Sequence, residues 1–251
     1  NISRNKVDGF SNYHGLQTSL QRRYSRGLMF GMAYTFSKSL GVTSYNVLLP
    51  DNRKWFYGPN SNYRKHIFAS NFSYDIPNLG RRLNNKILGV VTDNYTLSGI
   101  LTAQSGPPIT PSCGSSTGAD ITGSPNGTYR CLVVGDPKIN VPAGLIYNPA
   151  AFALPQPGTI GNLGNNALIA PGYYNLDVTF TKVIPVGSER RVFKLALQAF
   201  NVLNHTQFSS WQNSLNYSAS GDPGKLVTSD AARPTGTRPA RILATSLRFE
   251  F

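Results

Sequence analysis

The chain has 251 residues, with 24 Lys and Arg against 11 Asp and Glu and a formal net charge of +13, yet only 14% of it is charged and 11% is aromatic, where a soluble domain carries roughly 25% charge. No run approaches the roughly 18 consecutive apolar residues of a membrane-spanning helix, which excludes a helical membrane protein, and 24 Gly and 17 Pro are too few and too aperiodic for collagen or a low-complexity linker. A folded, turn-rich, mostly β chain remains, and its start at Asn1, with no signal-peptide pattern, is that of a mature chain or a fragment.

Strict alternation predicts the strands. Leu16, Thr18 and Leu20 oppose Gln17, Ser19 and Gln21 in a first strand, and Tyr24-Ser25-Arg26-Gly27 turns the chain into a second. There Leu28, Phe30, Met32, Tyr34 and Phe36 share one face, against a face of small or polar residues apart from Met29. Phe68, Phe72, Tyr74 and Ile76 mark a third strand, stopped by Pro77, which cannot donate to a ladder. A fourth runs from Tyr95 to Gln104, a fifth carries Tyr174, Leu176, Val178 and Phe180, and a sixth Phe193, Leu195, Leu197 and Ala199. The seventh places Leu243, Thr245, Leu247, Phe249 and Phe251 on one side and Ala244, Ser246, Arg248 and Glu250 on the other.

Connection lengths separate a membrane barrel from a soluble sandwich. Short turns join strands one to two and, from Pro185 to Arg190, five to six, whereas Lys38 to Lys65, Gly106 to Gly172 and Asn204 to Arg238 are long. The connection from Pro77 to Asp93 is intermediate and falls where a short one is due. Loops sorted by length are the pattern of outer-membrane barrels, with short periplasmic turns and long extracellular loops. An Arg facing lipid near the midplane costs about 2–4 kcal/mol, so Arg248 and Lys194 are expected to face the lumen. Cys113 and Cys131 lie in a Ser/Thr/Gly/Pro-rich stretch without a CxxC pattern, and one loop disulfide is expected there, against two unpaired thiols.

Several phrases stand along the chain: Tyr13-His14-Gly15-Leu16-Gln17 running into Tyr34-Thr35-Phe36-Ser37-Lys38, Arg64-Lys65-His66-Ile67-Phe68 leading to Tyr74-Asp75-Ile76-Pro77, and Leu97-Ser98-Gly99-Ile100 before Gln104-Ser105-Gly106-Pro107-Pro108. Asn148-Pro149-Ala150-Ala151-Phe152, Gly158-Thr159-Ile160-Gly161-Asn162, Pro171-Gly172, Phe200-Asn201-Val202-Leu203-Asn204-His205 and Leu247-Arg248-Phe249-Glu250-Phe251 follow. In this order the set resembles the C-terminal barrel portion of TonB-dependent outer-membrane receptors of the Oar-like kind. The resemblance implies an all-β, antiparallel transmembrane barrel of about 22 strands with a plugged lumen, driven by the TonB complex. Residues 1–251 would then be the last third of that barrel, with the plug domain and TonB box upstream of Asn1. Leu247, Phe249 and Phe251 resemble the terminal signal read by the barrel-assembly machinery as an added strand; the plainer alternative is that any lipid-facing strand ends this way.

No catalytic or cofactor pattern emerges, and an enzyme is not expected. His14, His66 and His205 sit in separate segments without HExxH spacing; Gly158, Gly161 and Gly164 have no strand before them and no helix after, so they read as loop turns; Ser209 and Ser210 near His205 are too little for a hydrolase. The loop from Asp51 to Pro59, with Arg53, Trp55 and Tyr57, is a candidate ligand or interface loop; loop packing or an interfacial anchor is the competing reading. Cations are scattered over turns, at Arg22, Arg23 and Arg26, at Arg81 and Arg82, and at Arg190 and Arg191, which suits lipid headgroups better than nucleic acid. The expected partners are outer-membrane lipid, the assembly machinery, TonB through the absent N-terminal part and an unidentified imported ligand, with no nucleic acid. The expected place is the bacterial outer membrane. An autotransporter or adhesin anchor and a soluble carbohydrate-binding β-sandwich are the alternatives.

Overall fold

A computed structural model of the chain describes residues 9–42, 49, 52–118, 120–124, 127–218 and 224–251, with the side chains of 188–190 not described. Asn1, Asp51 and the side chain of Arg190, which enter the expectations above, therefore lie outside the described residues. Seven long strands run in chain order: β1 Phe10–Ser25, β2 Leu28–Val42, β3 His66–Asp75, β4 Tyr95–Gln104, β5 Tyr173–Val186, β6 Ser188–Phe200 and β7 Ile242–Glu250. They form one sheet in sequence order, each antiparallel to the next. The sheet is not closed. Among the described residues β1 and β7 each have a single long-strand neighbour, leaving one edge of each unpaired.

Register turns seven alternations into two continuous faces. Phe30 lies opposite Phe72, Phe72 opposite Gly99, Gly99 opposite Val178, Val178 opposite Ala199 and Ala199 opposite Leu243. Leu20, Met32, Ser70, Leu101 and Leu176 form a neighbouring row, and Phe180, Leu197 and Thr245 another. Directly opposed residues share a face, so these rows make one largely apolar surface across the sheet, interrupted on β1 by Arg22, which lies opposite Phe30 near the first short turn. Gly99 is bare because the Phe72 ring covers it: a Cβ there would stand 2.8 Å from that ring. Stacked or tilted aromatic pairs sit toward both margins, Tyr34 and Phe36 on His66 and Tyr174 on His205 at one end, Tyr95 on Phe180 and Phe193 on Phe249 at the other.

The opposite face carries Thr179, Ser98, Ser73 and Gln198, with Asp177, Asn71 and Thr102 in adjacent rows. Lys194 and Arg248, expected on this side, are paired across β6 and β7, and the Lys194 Nζ meets Glu250 Oε2 at 2.7 Å. From Leu28 to Phe36, β2 covers about 27 Å, roughly 21 Å of height at a tilt of about 40°, close to the ~25 Å apolar band of an outer-membrane barrel.

Three features depart from the expected boundaries. β1 and β2 extend well beyond Leu16–Gln21 and Leu28–Ser37, because their pairing continues from Phe10 opposite Val42. β5 runs through Pro185 and turns only at Gly187 (φ +70°). Val183 donates its N–H toward Asn94 O, so position 185 points the same way, past the start of β4, and the missing proline N–H breaks no ladder bond. The connection after Pro77 is not a plain turn: it holds two short helices, α2 Leu79–Arg82 and α3 Lys86–Thr92, while α1 Arg53–Phe56 lies in the first long loop.

The buried core sits in the loops, not in the sheet. The described residues of 105–172 and 201–241 fold together at the end of the wall opposite the short turns, around Leu215, Cys131 and Ala232, which are fully buried, with Tyr147, Phe152, Leu163 and Tyr217 against them. Short pairings knit this cap: Ser112–Ser115 with Ser214–Tyr217 in parallel, Leu132–Val133 with Phe152–Ala153, and Phe208–Trp211 with Pro234–Thr237. Large apolar side chains of the wall, among them Leu20, Leu195, Leu197 and Leu247, remain exposed. A chain that buries its loops and exposes its strands has its strands arranged for contact with something other than water.

Candidate functional site

The polar face meets the cap at a neck built by two glycines. Long loop 105–172 leaves β4 and rejoins β5 in close contact with itself: a Cβ on Gly106 would stand 1.7 Å from Ala170 O, and one on Gly172 2.5 Å from Gln104 O. Ala170 donates its N–H to Pro107 O (2.9 Å). The Gln104-Ser105-Gly106-Pro107-Pro108 and Pro171-Gly172 phrases are this crossing.

Just inside the neck lies a cavity of about 400 Å³ on the polar face, lined by Thr102, Tyr173, Asn175, Asp177, Arg238 and Ile242, among others. Alternation on β4 and β5 aims Thr102, Tyr173, Asn175 and Asp177 to the same side. The Arg238 guanidinium stands 4.0 Å from the centre of the Tyr173 ring, and its backbone N–H donates to Gln207 O (2.7 Å). Asp177 Oδ1 accepts from Asn175 Nδ2 and from the Asn201 N–H, both at 2.8 Å. Gln207, itself buried, bonds both backbone groups of Tyr174. Aromatic ring, guanidinium, amides and carboxylate converge there, a set suited to hold a polar ligand by stacking and hydrogen bonds. This cavity is not readable in the sequence: Tyr173 and Arg238 belong to different loop ends, and the signal was at most the polar side of β5.

Asn52 caps α1, its side chain accepting from the Trp55 N–H (3.0 Å). The Trp55 ring lies under the Arg130 guanidinium at 3.7 Å, and Arg130 also donates to Trp55 O (2.7 Å) and Leu163 O (3.2 Å). Burial pushes the Arg130 guanidinium down from its usual range. Tyr57 stacks on Phe10, and Arg53 approaches the same ring at 6.0 Å. Asn165 and Asn166 donate to Phe56 O and Pro59 O, and a Cβ on Gly58 would collide with Asn165 O at 2.3 Å. The first long loop is therefore latched onto the second: Trp55 is occupied by Arg130, while Arg53 and Tyr57 turn to Phe10.

Cys113 and Cys131 form a disulfide, with sulfurs 2.04 Å apart, inside the cap core. Replacing both by Ser should loosen the cap by about 3 kcal/mol, the scale for a loop of this length, seen as faster proteolysis of residues 105–172 in membranes holding an otherwise intact barrel. Nearby, the Tyr217 hydroxyl donates to Phe152 O (2.9 Å), and burial holds it up to about 12. Tyr147 is pushed still further up, by burial first and by Tyr217 second. Both stay protonated throughout the physiological range.

His66 Nδ1 is 2.8 Å from Tyr34 Oη, and His205 lies against Tyr174. Ser210 Oγ bonds Thr235 Oγ1 (3.1 Å). Gly158 and Gly161 turn with φ of +79° and +72°, and Gly161 passes so close to Arg130 that a Cβ would stand 2.0 Å from its carbonyl oxygen. Leu247 and Phe249 lie on the apolar face opposite Leu195 and Phe193, and Phe251 stacks on Phe249.

A family model described as an outer membrane beta barrel domain matches residues 1–243. No curated protein and no solved structure matches the chain.

Proposed function

The chain belongs to the outer membrane beta barrel domain family, its seven strands are barrel wall in the bacterial outer membrane, and from that premise we propose that it forms the C-terminal part of a TonB-dependent, Oar-like receptor that imports a scarce polar ligand. Membership sets aside the soluble sandwich. The apolar face is then the lipid face, the polar face lines the lumen, the short connections are periplasmic and the cap is extracellular. The observation that carries the import reading is the luminal cavity of Tyr173, Asn175, Asp177 and Arg238 directly beneath a folded, cross-latched cap. A membrane anchor needs wall, but it has no use for an organised polar cavity at the extracellular mouth.

The two unpaired edges support a larger barrel, because an open edge in hydrocarbon leaves backbone groups unsatisfied; a barrel of about 22 strands is the proposal. The import reading requires a plug and a TonB-contact segment N-terminal to these strands in the same protein. It assigns no covalent chemistry, no cofactor and no nucleic acid to the chain. Leu247, Phe249 and Phe251 serve as the strand presented to the assembly machinery, with β7's free edge as the pairing surface.

Uptake tests it. Cells expressing the full-length protein are offered labelled ferric siderophore, vitamin and oligosaccharide probes, with and without a functional TonB complex. Accumulation of one probe that disappears without TonB, and falls at least about tenfold in Tyr173→Ala with Arg238→Ala, is the expected result. Uptake of every probe at the empty-cell level would overturn the proposal.

A further inference from the structure

Lys182 is a cation where the facing rule allows none. It lies opposite Tyr95 and Leu195, on the apolar face with Phe180 and Val178, yet it is almost fully buried. The helical hairpin of α2 and α3 covers it. Lys182 Nζ donates to Asp93 O (2.5 Å) and Val91 O (3.4 Å), carbonyls at the end of α3, and stands 4.3 Å from the Tyr95 ring. The hairpin therefore sits on the outer, lipid side of the wall, at the periplasmic rim, and not over the lumen.

Its own construction is tight. Asp93 accepts from the N–H groups of Gly80 (2.8 Å) and Arg81 (3.0 Å), Asn85 caps α3 at Leu88, and Gly80 meets Gly89 so closely that a Cβ on Gly80 would stand 2.1 Å from Gly89 Cα. What it shows to the outside is apolar: Leu79, Leu83, Ile87, Val90 and Val91 are 48% to 83% exposed, Ile87 the most. Ile87, Val90 and Val91 are three and four residues apart on α3 and form one stripe of that helix, while Leu79 opens α2 and Leu83 follows it. Between Ile76 and Thr92 the charged residues are Arg81, Arg82 and Lys86, with no acid among them. A cavity of about 410 Å³ between hairpin and rim is lined by Arg81, Lys86, Lys182 and Ile184, with the already bonded Asp93.

We propose that this hairpin is an amphipathic anchor lying in the periplasmic leaflet of the outer membrane, its apolar stripe among acyl chains and Arg81, Arg82 and Lys86 on the phosphates of phospholipid headgroups, one of which occupies the cavity against the rim. The occupant follows from continuity and charge. The hairpin abuts the lipid face of β4 and β5 at the rim through Lys182 and Tyr95, and an apolar surface bordered by Arg81, Arg82 and Lys86, with the carboxylate of Asp93 buried and engaged by backbone N–H groups, matches an anionic, phosphate-bearing interface. The inference rests on the barrel's place in the outer membrane and is independent of import.

The test uses the full-length protein refolded in vesicles of phosphatidylcholine with phosphatidylglycerol. Cys113 and Cys131 are bonded to each other, so, with any cysteine outside these 251 residues replaced by Ser, Ile87→Cys and Asn84→Cys each accept one environment-sensitive fluorophore. The label at 87 should be quenched by shallow spin-labelled lipid and shielded from aqueous iodide by roughly threefold relative to the label at 84. Arg81→Gln, Arg82→Gln and Lys86→Gln together should weaken that shielding in anionic vesicles and leave it unchanged in pure phosphatidylcholine. Equal iodide access at 87 and 84 would overturn the proposal. For the unsubstituted protein, photoactivatable phosphatidylglycerol should crosslink within residues 79–91; crosslinks confined to the strands would overturn it equally.

Discussion

Leu197→Arg should destabilise the folded barrel by about 2–4 kcal/mol, whereas Gln198→Arg, one residue along the same strand, should change it by less than about 1 kcal/mol. Leu197 lies opposite Phe180 and Thr245 in the middle of β6, on the apolar face, and Gln198 lies opposite Thr179 and Ala244 on the polar one. In a soluble protein a half-exposed Leu such as this, 48% accessible, would accept Arg at little cost, because its side chain can reach water. In a barrel wall the same exposure is to hydrocarbon. Denaturant unfolding of the full-length protein in vesicles, followed by its heat-dependent gel mobility, reads both variants. Equal effects would mean that the two faces do not see different solvents.

Leu215→Ala tests the other half of the molecule and should cost the cap about 2–5 kcal/mol, the range for emptying a fully buried leucine site. Leu215 pairs with Cys113, has no exposed surface, and belongs to the cluster of Tyr147, Phe152, Leu163 and Tyr217. No wall strand depends on it, so the loss should be local. Residues 105–172 and 201–241 should become protease-sensitive while the barrel keeps its heat-modifiable mobility, and ligand uptake should fall with the loops. A variant that fails to insert at all would show instead that cap and wall fold as one unit.

The contrast between these two sites also explains what the sequence could tell. Wall strands carry their own period. Leu28, Phe30, Met32, Tyr34 and Phe36 alternate with residues that, Met29 apart, are small or polar, because lipid and lumen impose opposite demands, so all seven strands were legible, Tyr95–Gln104 to the residue. The cap has no such imposed period. Tyr147, Phe152 and Leu215 each pack against partners tens of residues away, and Arg130 meets Trp55 across 75 positions, so Trp55 beside Arg53 and Lys54 looked like an open aromatic-cation surface although its partner came from another loop. The helical hairpin was missed for a third reason. Its apolar residues Leu79, Leu83, Ile87, Val90 and Val91 were present, but helices of four and seven residues interrupted by Leu83-Asn84-Asn85 are too short for a helical period to stand out from a turn. The cavity under the cap was illegible because Arg238 reaches Tyr173 only through a fold of the loops.

The facing of the strands underlies every one of these conclusions, and a cysteine scan along β5 tests it directly. Single cysteines from Tyr173 to Thr181 in the full-length protein, in isolated outer membranes, are treated with a small, charged thiol reagent. Labelling should follow a period of two, with 173, 175, 177, 179 and 181 reactive from the lumen and 174, 176, 178 and 180 protected by lipid. Uniform labelling, or reactivity at the even positions, would contradict the account.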